Sequence, residues 1–104
     1  MKVFKINIAD TAKQDIRDIR KYITDEFQEP VAAANTTESI LEAITTLEQM
    51  PDRIALVKDK RLAAQGLRPL YVKNYTVFFR INKSHDSIDI VRVIYSHRDW
   101  ASIL

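Results

Sequence analysis

The sequence has no cysteine, so disulfide staples and thiolate-bound metals are both excluded. Glycine is nearly absent as well. One glycine and three prolines in 104 residues leave little room for linkers, and a single domain spanning residues 1–104 is expected. That length suffices for one hydrophobic core, though a modest one. No apolar run approaches the roughly 18 residues of a membrane span. The start, MKVFKINIADTAKQ, holds no long apolar stretch and meets Asp10 early, so a signal peptide is not expected and the cytoplasm is the expected location. Neither sign of charge dominates: 16 Lys and Arg face 14 Asp and Glu, a formal net charge of +2. Such a balance permits nucleic acid or an acidic partner without demanding either.

What is present is ordered by period. KVFKINI, residues 2–8, is rich in Val, Phe and Ile and reads as a first strand. From Ala9 the period changes. Ala12, Ile16, Ile19, Ile23 and Phe27 recur at helical steps of three and four, with charged residues opposite. Thr11 followed by Gln14 matches a capping box, which predicts a helix start near Thr11. A second helix follows, with Pro30 suited to its first turn and Pro51 barring its continuation. Its inner stripe is Ala33, Thr37, Ile40, Ile44 and Leu47, with Leu41 beside it. Only Gln28 and Glu29 link the two, so an antiparallel hairpin is expected.

DRIALVKDKRLAAQG, residues 52–66, reads as a connector with a short helical turn, ending at Gly66, whose backbone is expected to need positive φ. Three strands follow. LRPLYV passes through Lys73 and Asn74, with Asn as the turn former, into YTVFFRI, and IDIVRVIY follows the polar turn NKSHDS. Pro69 marks the first of these as an edge strand. The other two are apolar at nearly every residue, as central strands covered on both faces are. The fold class is therefore α+β: an N-terminal strand, then a helical hairpin packed on a small, mostly antiparallel sheet, in the order β-α-α-β-β-β.

The sequence has no Gly-rich phosphate loop, no metal-spaced His set and no Ser-His-Asp spacing, so neither metal nor cofactor is expected. The chemistry left is basic: Lys58, Lys60, Arg61, Arg68, Arg80, Arg92, His97 and Arg98, able on one face of a small sheet to bind phosphates or acidic groups. Each has a plainer reading. Arg80 and Asp89 flank the NKSHDS turn and can form a cross-strand ion pair. Arg92 can meet a helix carboxylate such as Glu38 or Glu42, and Arg98 can pair with Asp99. Lys58, Lys60 and Arg61 read equally as a solvated charge run. His85 in the polar turn reads as a solvated loop residue. His97 and Arg98 together supply a group that titrates near neutrality and a permanent two-donor cation, the functions that metal-free RNA cleavage requires. Trp100 can cap the core. Trp100, Ile103 and Leu104 are also candidates for exposed apolar groups kept for a partner.

The element order, the hairpin GLRPLYVKNYTVFFRIN and the ending VRVIYSHRDW together resemble the RelE/ParE superfamily of bacterial type II toxins, and the ParE-like branch most closely. The likeness spans nearly the whole chain. It implies a growth-inhibiting toxin encoded beside a small antitoxin, which wraps the toxin and represses the shared operon. ParE-type members poison DNA gyrase. RelE-type members enter the ribosomal A site and cut mRNA without a metal. By position, Arg98 matches the basic residue following the last strand in both branches, and His97 falls near a catalytic histidine of some nucleases. Arg68 and Arg80 match basic positions of the ParE-like pattern. Two departures weigh against cleavage. Tyr75 is followed by Thr76, where nuclease members carry arginine. Many nucleases also end in a tail with a catalytic tyrosine, whereas Leu104 is the last residue here and Tyr95 lies within the strand. The implied reading is a binding poison with gyrase as target. The alternatives are a ribosome-dependent mRNA endonuclease using His97 and Arg98, with Lys58, Lys60, Arg61 or Arg68 as phosphate ligands, and an inactive homologue that only binds antitoxin.

Overall fold

The structure, a computed structural model, describes residues 2–104. Lys5–Ile8 form β1, and the chain passes at once into α1, Asp10–Phe27. Ala9 makes the corner. Its N–H extends the strand ladder to the carbonyl of Ile90 at 2.9 Å, while its own carbonyl accepts the N–H of Lys13 at 2.9 Å. The capping box expected at Thr11 is corrected: Ala9 is the N-cap, and no side chain caps the helix. Thr11 lies inside the first turn, and the Gln14 amide donates to Asp18 instead. Helix start is set by the strand that feeds it, and no side-chain acceptor serves the N–H groups of the first turn.

Ala12 and Ile19 are buried, and Ile16 and Ile23 pack against the same core. Phe27, expected on the inner stripe, is 60% exposed at the hairpin tip, edge-on to Tyr22 with centroids 5.8 Å apart. Gln28 adopts left-handed backbone, φ 52°, and ends the helix. Pro30 opens α2, Pro30–Thr45. Its expected stripe of Ala33, Thr37, Ile40 and Ile44 is buried, and so is Leu47 in the 3₁₀ turn Thr46–Glu48 beyond it; Leu41 is largely exposed. A second 3₁₀ turn, Pro51–Arg53, follows. The Arg53 guanidinium donates to the carbonyls of Gln49 at 2.9 Å and Met50 at 3.0 Å, satisfying acceptors stranded where the helical chain ends.

The connector holds α3, Lys60–Ala64, capped by the Asp59 carboxylate accepting the Leu62 N–H at 3.1 Å. Gly66 follows at φ 80°, and a Cβ there would meet nothing within 4 Å, so backbone angle and not space selects glycine. Left-handed backbone also occurs at Gln28, Met50, Lys73 and Asp86. A chain with one glycine places ordinary side chains at its other sharp turns, where each costs on the order of 1 kcal/mol.

β2, Arg68–Val72, β3, Tyr75–Asn82, and β4, Ser87–Tyr95, complete a sheet in the order β1-β4-β3-β2. β2, β3 and β4 pair antiparallel, and β1 joins β4 in parallel, Lys5 opposite Ser87 through Ile8 opposite Ile90. β3 and β4 are central, as their continuous apolar character implies, and Pro69 lies on an edge strand. In the Lys73-Asn74 turn, the left-handed residue is Lys73, φ 54°, in place of the expected Asn74.

β4 carries a register shift: Phe78 faces Arg92, but Phe79 faces Ile90. Val91 is the extra residue of a bulge. It reverses the parity of the strand, so that Ile88, Ile90 and Val93 all join the core beneath the hairpin while Ile94 joins the other side. The hairpin side also buries Val77 and Phe79. The opposite face buries Phe78 and Ile94 against Val57, Leu62 and Leu67, and is closed by α4, Trp100–Ile103. Trp100 lies on Phe78, centroids 5.2 Å apart, with Ile103 and Leu104 packed on the same cluster. The terminal apolar groups expected to be exposed for a partner are thus half-buried, because this face has no long helix to cover it.

Candidate functional site

Beyond Ile90, β1 no longer covers β4, and that edge runs beside α1. Antiparallel pairs alternate between hydrogen-bonded and open. Val93 gives its N–H to Asp15 Oδ2 at 2.9 Å and so belongs to an open pair with Val77. Two residues on, Tyr95 is likewise open toward Tyr75. Val93 and Tyr95 therefore turn their backbone groups away from β3, and the Val93 carbonyl and Tyr95 N–H have no partner among the described residues. Tyr95's carbonyl accepts the Arg98 N–H at 3.0 Å.

A groove of about 1050 Å³ lies along this open edge. Asp18, Tyr22 and Glu29 of the hairpin form one wall; Lys73, Tyr75 and Arg98 stand on the sheet side. Acidic and basic groups thus face each other across an aromatic floor. Tyr75 and Tyr95 meet edge-on at 5.8 Å. Burial pushes the Tyr75 phenol above its ordinary value, reinforced by Tyr22 and Tyr95 nearby.

The arginines divide into engaged and free. Arg92 forms a two-point ion pair with Asp15, Nε to Oδ2 at 2.7 Å and Nη2 to Oδ1 at 3.0 Å. The partner is a helix carboxylate, as expected, but Asp15 and not Glu38 or Glu42. Its hydrogen bonds hold the guanidinium's proton more tightly than usual. Arg80 stands opposite Asp89 in the register, yet the expected ion pair is not formed: its Nε donates to the Gln65 carbonyl at 2.8 Å. Arg68 donates to the Ile54 carbonyl at 2.5 Å, and Arg61 to the Ala101 carbonyl, tying α3 to α4. Arg98 is exposed and makes no side-chain hydrogen bond or ion pair among the described residues; the expected Asp99 bridge is absent. Lys58 lies beside Trp100 in a smaller groove of about 590 Å³, and Lys60 starts α3.

The basic set is therefore not one concavity. Arg98 lines the large groove, while Arg61 and Lys58 lie by the second face with Trp100, and Arg68 and Arg80 are held by backbone carbonyls. His97 does not line the groove; its ring lies against Tyr95, centroids 5.3 Å apart. Thr76 is buried, its hydroxyl 2.9 Å from that of Ser96. Asp15, Tyr22, Lys73 and Tyr75 escaped the sequence reading as site residues. Thr11 and Asp15, short hydrogen-bonding side chains four apart on the flank of the apolar stripe, were the signal available.

No helix among the described residues is long and apolar enough to cross a membrane. The family model described as the ParE toxin of the type II toxin-antitoxin system, parDE, matches residues 6–100. No curated protein matches the sequence. Among solved structures, the chain is similar to one from the chromosomal ParDE toxin-antitoxin system of P. aeruginosa, with 19% identity and a TM-score of 0.74 over 89% of this chain and 96% of that one. It is similar to one from the RelBE2 toxin-antitoxin complex of Mycobacterium tuberculosis, with 17% identity and a TM-score of 0.64 over 89% and 98%. It also resembles an arginine-to-alanine mutant of the E. coli toxin RelE in the free state, with 8% identity and a TM-score of 0.68 over 97% and 92%. At these identities the likeness to solved structures is one of fold.

Proposed function

Because the chain belongs to the ParE toxin family of type II toxin-antitoxin systems, we propose that it inhibits bacterial growth by binding DNA gyrase, and that a cognate antitoxin neutralises it by filling the groove along β4. The observation behind this reading is the division of labour at the end of β4. Arg98 offers an unengaged cation to the groove, while the nearby titratable group, His97, rests on Tyr95 outside it. A cation without a general base beside it suits recognition better than cleavage, which needs a group placed to take the 2′-OH proton. The unpartnered Val93 carbonyl and Tyr95 N–H suit an extended antitoxin segment, since a free strand edge accepts another strand.

Induced expression in a bacterial host tests the reading with two readouts. DNA damage with intact mRNA, relieved by Arg98→Ala, is the expected result. Rapid loss of translation with codon-phased mRNA cuts would overturn it in favour of the nuclease reading, with His97 and Arg98 at its centre. Normal growth at full expression would leave only an antitoxin-binding role.

A further inference from the structure

We infer that Asp15 is a positioning residue for the groove: its carboxylate stands in for a missing neighbouring strand and fixes the end of β4 that presents Arg98. This rests on the reading of Arg98 as the groove's functional cation. The geometry is a match of two repeats. Four residues along a helix advance about 6 Å, and two residues along a strand about 6.6 to 6.8 Å. α1 runs beside the uncovered edge and presents side chains at that spacing. Thr11 Oγ1 donates to the Val91 carbonyl at 2.9 Å. One turn on, Asp15 Oδ2 accepts the Val93 N–H at 2.9 Å, and the same carboxylate grips the Arg92 guanidinium. One turn further stands Ile19, buried and apolar, which has nothing to offer a backbone amide. The surrogate ladder stops there, and Tyr95 is left open to the groove.

Asp15 is therefore the last residue to hydrogen-bond β4 from that side. Its side chain is only 13% exposed, and it binds two consecutive strand residues through three hydrogen bonds. From Val93 the chain runs to Tyr95, whose carbonyl holds the Arg98 N–H. Releasing Val93 and Arg92 would leave the end of β4 held from the β3 side alone, by pairs such as Thr76 with Ile94 and by the Ser96 N–H on the Asn74 carbonyl at 2.8 Å, and would loosen the placement of Arg98 beyond it. Thr11 has no such reach, because the Val91 slot it fills precedes the Asp15 clamp.

The test compares neighbouring slots. Asp15→Asn, Thr11→Val, Arg98→Ala and the double variant Asp15→Asn/Arg98→Ala are induced at matched soluble levels, and growth inhibition and melting temperature are read for each. Asp15→Asn is expected to lower inhibition about tenfold, the order of one charge-assisted hydrogen bond, while Thr11→Val changes it little. The double variant is expected to be no weaker than Arg98→Ala alone, since both act through one side chain. Equal losses from Asp15→Asn and Thr11→Val, or additive losses in the double variant, would reduce Asp15 to ordinary stabilisation and overturn the proposal. If Arg98→Ala alone leaves inhibition intact, the reading of Arg98 has failed, and this one with it. Should Asp15→Asn not accumulate in soluble form, Arg92→Lys, which keeps the charge and loses the two-point fork, is expected to cost several-fold; unchanged inhibition there would equally overturn the proposal.

Discussion

The two faces of the sheet are closed by unlike means. Beneath the hairpin, two helices of 18 and 16 residues lay continuous apolar stripes over Val77, Phe79, Ile90 and Val93. On the other face, the five-residue α3, a stretch of connector and the four-residue α4 close over Phe78 and Ile94. Long periodic elements bury much surface at regular positions, and stability follows from them. Short ones bury less and depend on single ties, such as Arg61 to the Ala101 carbonyl. The groove lies at the seam, lined by Tyr22 from the hairpin and by Arg98 and Ile103 from the tail. The hairpin side buries most of the core and grips β4 through Asp15, while the other side closes over the tail that carries Arg98.

The largest effect should come from the hairpin face. Phe79→Ala leaves a hole in the main core and is expected to cost about 3 to 5 kcal/mol by chemical denaturation. Trp100→Ala, on a half-buried side chain of the second face, should cost less, about 1 to 3 kcal/mol. Its growth inhibition should fall further than its stability explains, because α4 begins two residues after Arg98. Equal stability losses at the two positions would erase the contrast between the faces. Arg98→Ala sharpens it from the other direction. Among the described residues its side chain makes no hydrogen bond or ion pair, so stability should stay within about 0.5 kcal/mol of the parent while inhibition falls.

The same contrast explains what was legible. Ala12, Ile19, Ala33, Ile40 and Ile44 announced the hairpin because a long helix must repeat its apolar side every three or four residues. The central strands were legible for a less regular reason. IDIVRVIY read as apolar at nearly every residue partly because the bulge at Val91 shifts the buried parity, a cause the sequence alone hides. Neither VKDKRLAAQG nor HRDWASIL has room for a period: a short helical turn in the first and Trp100 as a core cap were legible, but not that α3 and α4 together close the second face. Arg98 was singled out with His97 by residue type, and family likeness then set it apart from the other basic residues. Its freedom became visible only once Arg61, Arg68, Arg80 and Arg92 were seen to be engaged, mostly by backbone carbonyls that leave no mark in a sequence. Asp15 was missed because Arg92 was matched to Glu38 and Glu42 of the other helix, and because its third bond goes to a backbone amide, which leaves no mark in a sequence.

The smallest effect concerns the seam itself. Tyr75 packs against the hairpin-side core and lines the groove, and burial, with Tyr22 and Tyr95 close by, raises its phenol above the ordinary 10.0. The folded protein therefore keeps that proton where the unfolded chain has begun to lose it. The stability this confers is whole below the unfolded value and is lost as pH rises through it toward the higher folded value. Melting temperature should accordingly fall from about pH 9 to 11, the range in which tyrosine titrates. Tyr75→Phe has no proton to lose, and its curve should fall less steeply over the same range, the other three tyrosines titrating in both proteins. Parallel curves would mean that Tyr75 is as well solvated as the outer residues of the groove. The seam would then belong to the loosely closed side of the molecule, and the hairpin would protect less of β3 than its stripes imply.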